Sequence, residues 1–201
     1  MNEQTHLCLH ALAVKKQAGP HAVAALLGAD PSVVAALLGD ASRGGRCVAV
    51  GERYLLTPAG RMMVEANYSR FFAVARADHG FNAAHTRFEV LNDDLKQLVT
   101  DWQMVNVGGS QLPNGHSDVS YDEKIIARLG TLHDKVLPVL ASLATVLPRF
   151  VYYSAKLDAA LMRLEDGEHA WLSEVNIDSY HTVWFELHED LLRVLGRVRS
   201  E

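Results

Sequence analysis

Between residues 19 and 58 a proline follows a turn or capping residue three times: Gly19-Pro20, Asp30-Pro31 and Thr57-Pro58. Proline at the first helical position gives up nothing, because its missing N–H would have no partner within the helix, and its φ is already near the helical value. Each pair therefore ends what precedes it and opens a new helix. This stretch cannot form one long rod. Residues 5–17 read as a first helix, with Thr5 as cap and Leu7, Ala11 and Val14 on one face. A second helix runs from Pro20 to Gly28, and a third from Pro31 to about Arg43 with Val34, Leu37, Leu38 and Ala41 inward. Gly44-Gly45 breaks the third. The β-prone runs Arg46–Val50 and Arg53–Leu56 then flank a turn at Gly51-Glu52, and Thr57-Pro58 starts the next helix.

Helix, helix, helix, hairpin, helix is the order of a winged helix-turn-helix, expected over residues 1–66. The junction Tyr54-Leu55-Leu56-Thr57-Pro58-Ala59-Gly60-Arg61 resembles the one at which winged-helix bacterial regulators of the MarR-like kind pass from the second wing strand into the following helix. That resemblance implies a DNA-binding module whose third helix enters the major groove. Lys15, Lys16, Ser32, Arg43, Arg46 and Arg53 are the candidate DNA contacts. The third helix departs from the pattern. Its outward positions are Ser32, Val33, Ala35, Ala36, Gly39, Asp40 and Ser42, and only Arg43 at its end offers a bidentate base contact. Charge agrees with this. Residues 1–66 carry six basic and five acidic groups, the remainder thirteen and nineteen, so any basic footprint is local.

Residues 67–201 read as an all-α helical bundle serving effector sensing, dimerisation or both, which makes the chain mainly α with one small β-hairpin. A helix from Ala59 to about Asp78 leads into it. Residues 83–106 place Ala84, Phe88, Leu91, Leu95, Leu98, Trp102 and Val105 on one stripe. A glycine-rich loop follows over residues 106–120. Tyr121–Leu147 presents Ile125, Leu129, Leu132, Val136, Leu140 and Leu143, with a kink at Pro138. A helix restarting at Pro148 presents Phe150, Tyr153, Leu157, Ala160 or Leu161, and Leu164. The last, Ser179 to about Arg199, presents Tyr180, Trp184, Leu187, Leu191, Val194 or Leu195, and Val198.

No self-contained catalytic motif stands out: there is no GxSxG elbow, phosphate-binding glycine loop or dinucleotide fingerprint. His116-Ser117-Asp118 with Tyr121, Asp122 and Glu123 has the composition of a triad, but Ser120, Asp122 and Glu123 read better as helix-capping groups. His181 and His188 lie seven apart, about 10 Å along a helix, too far to share a metal without a bend. No metal site and no cofactor are expected. A pocket in the bundle would be lined by Trp102, Gln103, Tyr153, His181, Trp184 and His188, and would suit a small aromatic or apolar effector. Cys8 and Cys47 lack any ligand spacing and read as buried thiols. With no export signal and no membrane-length apolar run, the expected location is the cytoplasm and the expected partners are DNA and a second copy of the chain, with no membrane.

The strings Leu98-Val99-Thr100-Asp101-Trp102-Gln103 and Ser179-Tyr180-His181-Thr182-Val183-Trp184-Phe185-Glu186-Leu187-His188-Glu189-Asp190-Leu191-Leu192 resemble a non-catalytic region of bacterial proteins related to pyruvate phosphate dikinase. That resemblance implies the alternative to a ligand-responsive transcription regulator. The chain would then be an accessory or regulatory interaction module of a phosphoenolpyruvate-utilising system, without phosphotransfer of its own.

Overall fold

A computed structural model of the protein describes residues 1–197. The chain is mainly helical with a small antiparallel sheet. Among the described residues no single helix is long and apolar enough to cross a membrane. By contacts it divides into two compact units: Met1–Asp78 together with the described residues from Glu186 onward, and His79–Phe185. The division expected from sequence fell at residue 66.

The first unit contains α1 (Glu3–Lys15), β1 (Gln17–Ala18), α2 (Pro20–Leu27), α3 (Pro31–Arg43), β2 (Cys47–Val50), β3 (Arg53–Leu56), α4 (Pro58–Phe71) and α5 (Ala73–Ala77). The second contains α6 (His79–Gln103), β4 (Met104–Val107), β5 (Ser110–Pro113), α7 (Val119–Ala144), a 3-10 turn at Pro148–Phe150, α8 (Val151–Glu165) and α9 (Ala170–Ser173). The last helix, α10 (Tyr180–Leu195), begins in the second unit and ends in the first. Val198, expected on its inward stripe, lies outside the described residues.

All three proline pairs open helices as their chemistry dictates. The Asp30 carboxylate accepts hydrogen bonds from the Ser32 N–H at 2.7 Å and the Val33 N–H at 3.4 Å, and Thr57 Oγ1 accepts from the Gly60 N–H at 3.0 Å. Helix α1 starts earlier than expected, because Asn2 takes the capping role and its Oδ1 accepts from the Thr5 N–H at 2.8 Å. In the first unit's sheet β3 lies between β1 and β2, both antiparallel to it, with Leu55 opposite both Gln17 and Val48. The two-residue β1 carried no periodicity to read. From His6 to Val14 only Leu7 of α1 escapes burial, so this helix is wrapped by its neighbours on nearly every side.

The continuous helix expected over 59–78 is broken at Phe72 (φ −111°, ψ 21°), whose ring is buried. The far end of α10 completes the first unit's core. His10 Nε2 lies 2.9 Å from Asp190 Oδ1, and His10 Nδ1 lies 3.2 Å from the Tyr68 hydroxyl, all three residues being buried. Burial pushes the Tyr68 phenol up to about 12 against the opposing pull of Arg193. The Arg76 guanidinium caps the end of α10, donating to the Val194 carbonyl at 2.6 Å. Gly196, at φ 67°, turns the chain out of the helix.

In the second unit α6 packs along α7, and α7 along α8. The predicted stripes on these helices are buried, except Val105, which falls in β4 and is half-buried. Phe88 stacks on Trp184 with ring centroids 4.9 Å apart, and the Trp184 indole N–H donates to Asn92 Oδ1 at 3.1 Å. Part of the loop expected over 106–120 is instead a tight hairpin. Gly108 (φ 60°) and Gly109 (φ 88°) form its two-residue turn between the paired Val107 and Ser110. Two left-handed residues in succession are what a right-twisted two-residue hairpin demands, and glycine supplies them without a side-chain clash.

Candidate functional site

The outward face of α3 and the β2–β3 hairpin form the first candidate surface. Helices α2 and α3 are bent by 117° across the short turn 28–30. Beyond that turn Ser32, Val33, Ala36, Asp40 and Arg43 are exposed, and on the hairpin Val48, Val50 and Arg53 are exposed. The hairpin's position depends on one close approach. Thr57 Oγ1 donates to the Gly45 carbonyl at 2.7 Å, the Thr57 N–H donates to the Arg46 carbonyl at 3.1 Å, and Gly60 packs on that same carbonyl so closely that a Cβ there would sit 1.8 Å from the oxygen. Only glycine fits.

The six predicted DNA contacts do not share one circumstance. Lys15 is largely buried, its ammonium 2.6 Å from Glu186 of α10. Arg43 is exposed and paired with Asp40 one turn back. Arg46 folds along the end of α3 and donates to the Asp40 carbonyl at 3.3 Å. Lys16, Ser32 and Arg53 are exposed.

The second surface lies in unit two, where α6 ends, α7 begins and the turn before α9 passes. Asp118 caps α7, accepting from the Tyr121 N–H at 3.1 Å. This corrects the capping role expected for Ser120 and Asp122. Asp122 falls one turn before Ile125 on the inward stripe of α7, so its carboxylate is carried inside, where it is 2% exposed. Burial of a carboxylate requires compensating donors. Asp122 Oδ1 accepts from the Asn114 side-chain amide at 3.0 Å, and Asp122 Oδ2 lies 3.0 Å from His116 Nδ1. The same Asn114 amide donates to the Trp102 carbonyl at 3.0 Å, while Asn114 Oδ1 accepts from the His116 N–H at 3.0 Å. These bonds hold His116 in a left-handed backbone conformation, φ 53°.

Trp102 forms the wall of this cluster. Its ring is 4.4 Å from that of His116 and 5.4 Å, edge-on, from that of His169. Nitrogen or oxygen atoms of His116, Asp122 and His169 all lie within 4.8 Å of one another. The backbone beside His169 is anchored, since the Glu168 carboxylate accepts from Arg163 at 3.2 Å and from the Trp171 indole N–H at 3.0 Å. Ser117 is exposed, and the carboxylate on His116 is that of Asp122, not of the sequence neighbour Asp118, which caps α7.

The residues predicted to line an effector pocket are dispersed. Trp102 is at the cluster, and Gln103 is exposed at the end of α6. Tyr153 and Trp184 are buried in the core of unit two, where Tyr153 packs on Phe150, and His181 is half-buried at the start of α10. His188 is buried and belongs to the other unit. Sequence reasoning missed Asn114 and His169. It met Asp122 and gave it the wrong task, although an acidic residue continuing the stripe Ile125-Leu129-Leu132 backwards was a usable signal.

No protein-family model, no curated protein and no solved structure matches the chain.

Proposed function

We propose that the protein is a ligand-responsive transcription regulator of MarR-like type, a winged helix followed by a helical domain for effector sensing and dimerisation. The observation that carries this reading is the 117° bend between α2 and α3 followed by an exposed hairpin. A helix pair at about 90–120° with a short turn is the geometry that lets a second helix enter the major groove. Ser32 and Arg43 would face base edges and phosphate from α3, Arg53 would reach the backbone from the hairpin, and Lys16 would add a phosphate contact. A two-fold dimer would match paired half-sites.

The test is fluorescence anisotropy of labelled DNA from upstream of the protein's own gene, over a salt series. Specific affinity should exceed that for random DNA and fall steeply with salt, and Arg53→Ala should reduce the salt slope by about one. Equal affinity for both DNAs would remove the reading.

A second reading has its own support. Lys15 is occupied by Glu186, Asp40 accompanies Arg43, and Val33 (46% exposed), Val48 (47%) and Val50 (62%) stand in solvent on the same two elements. Such a surface suits a protein partner better than a polyanion. In that case the chain is an accessory module of a phosphoenolpyruvate-utilising system, and its winged unit should co-purify with such an enzyme and ignore DNA.

A further inference from the structure

We propose that His116, Asp122 and His169 form a binding site for a divalent zinc-class cation, with Asn114 as the residue that positions the carboxylate. Two imidazoles and one carboxylate make a mixed nitrogen–oxygen donor set suited to such an ion, and three protein ligands leave a fourth position for water or an anion. The distances are close to those required. Bonds of about 2.1 Å in a tetrahedral site set ligand atoms roughly 3.4 Å apart. His116 Nδ1 and Asp122 Oδ2 are 3.0 Å apart. Closing the largest separation, 4.8 Å at most, requires a shift of about 1.4 Å. The exposed His169 side chain can supply it by rotation.

The surroundings are those of a metal centre. A ligating carboxylate is oriented by a hydrogen bond to its other oxygen, here from the Asn114 amide to Asp122 Oδ1. Asn114 also bonds to the Trp102 carbonyl and to the backbone N–H of His116, so one amide side chain fixes two of the three ligands. The Trp102 ring lies against both imidazoles. The site is independent of whether the protein binds DNA.

The experiment is competition of the full-length, chelator-treated protein with a chromophoric zinc indicator, with Co2+ as a spectroscopic probe of coordination. Zinc should bind at one equivalent, and Co2+ should show the visible absorption of a four- or five-coordinate ion without a thiolate band. His169→Ala changes an exposed side chain and should weaken binding about tenfold or more. Asp122→Asn should do the same, with its fold checked by circular dichroism. His21→Ala, at an exposed histidine of the other unit, should leave binding unchanged. Zinc bound as tightly by His169→Ala as by the unaltered protein, or no saturation at one equivalent, would overturn the assignment.

Discussion

Gly60 shows how a single missing side chain sets a junction. Its Cα faces the Arg46 carbonyl, where a methyl group would be 1.8 Å from oxygen, and the contacting atom is backbone that also accepts from the Thr57 N–H. Neither partner can yield without pulling α4 off the hairpin. Gly60→Ala should therefore destabilise the protein by about 3 kcal/mol or more, at or beyond the upper end of the usual cost of a small insertion in a core. Thermal unfolding of the two proteins checks this, and equal midpoints would refute the close approach. The Thr57-Pro58 pair and this glycine belong to the same eight-residue junction that resembles winged-helix regulators. The proline was legible as a helix start, whereas the glycine's role was hidden, because the carbonyl it accommodates lies 14 residues earlier in the chain.

Helix α3 depends on its cap. Hydrogen bonds from the Ser32 hydroxyl and then from the Ser32 and Val33 N–H groups hold the Asp30 carboxyl below its ordinary value. A carboxyl with a depressed folded-state value stabilises the fold above its unfolded value, and the contribution disappears as pH falls through the folded one. Asp30→Ala should thus lower the melting temperature at neutral pH, Asp30→Asn should lower it less, and the gap between Asp30→Ala and the unaltered protein should narrow in acid. A gap that widens in acid would contradict the capping geometry. Long helices were more readable than short ones. The stripes of α6, α7 and α8 repeat over several turns, so a one-residue error at either end leaves the pattern intact. The hairpin β4–β5 was signalled only by Gly108-Gly109 between two brief runs, and β1 by nothing at all.

The first unit is not contiguous in the chain. His10, on α1, faces Asp190 on α10, Lys15 faces Glu186, and Arg76 caps the end of that same helix, across more than a hundred residues of sequence. A fragment of residues 1–78 would leave the buried His10 and Lys15 without these carboxylates and expose the apolar faces that α10 covers. Each buried hydrogen bond or ion pair lost in this way costs about 1–3 kcal/mol, and marginally stable domains tolerate few such losses. The fragment should lack a cooperative thermal transition by circular dichroism, and adding a peptide of residues 180–197 should restore helicity. A fragment that melts cooperatively by itself would show that α10 is dispensable. The expectation that residues 1–66 stand as a domain followed local punctuation, which carries no information about which distant helix fills the remaining face.

Local chemistry by itself determined that the three proline pairs open helices, which face of each long helix is apolar, and the succession of three helices, a hairpin and a fourth helix in the first unit. Those features depend on capping, φ restriction and periodicity, all of which act within a few residues. Tertiary structure alone decided that Lys15 meets Glu186, that α10 serves two units, and that Asn114, His116, Asp122 and His169 converge beside Trp102. Such meetings join side chains from separate elements. They follow from how the helices pack around a shared core, where a buried charge must find a partner wherever the chain brings one.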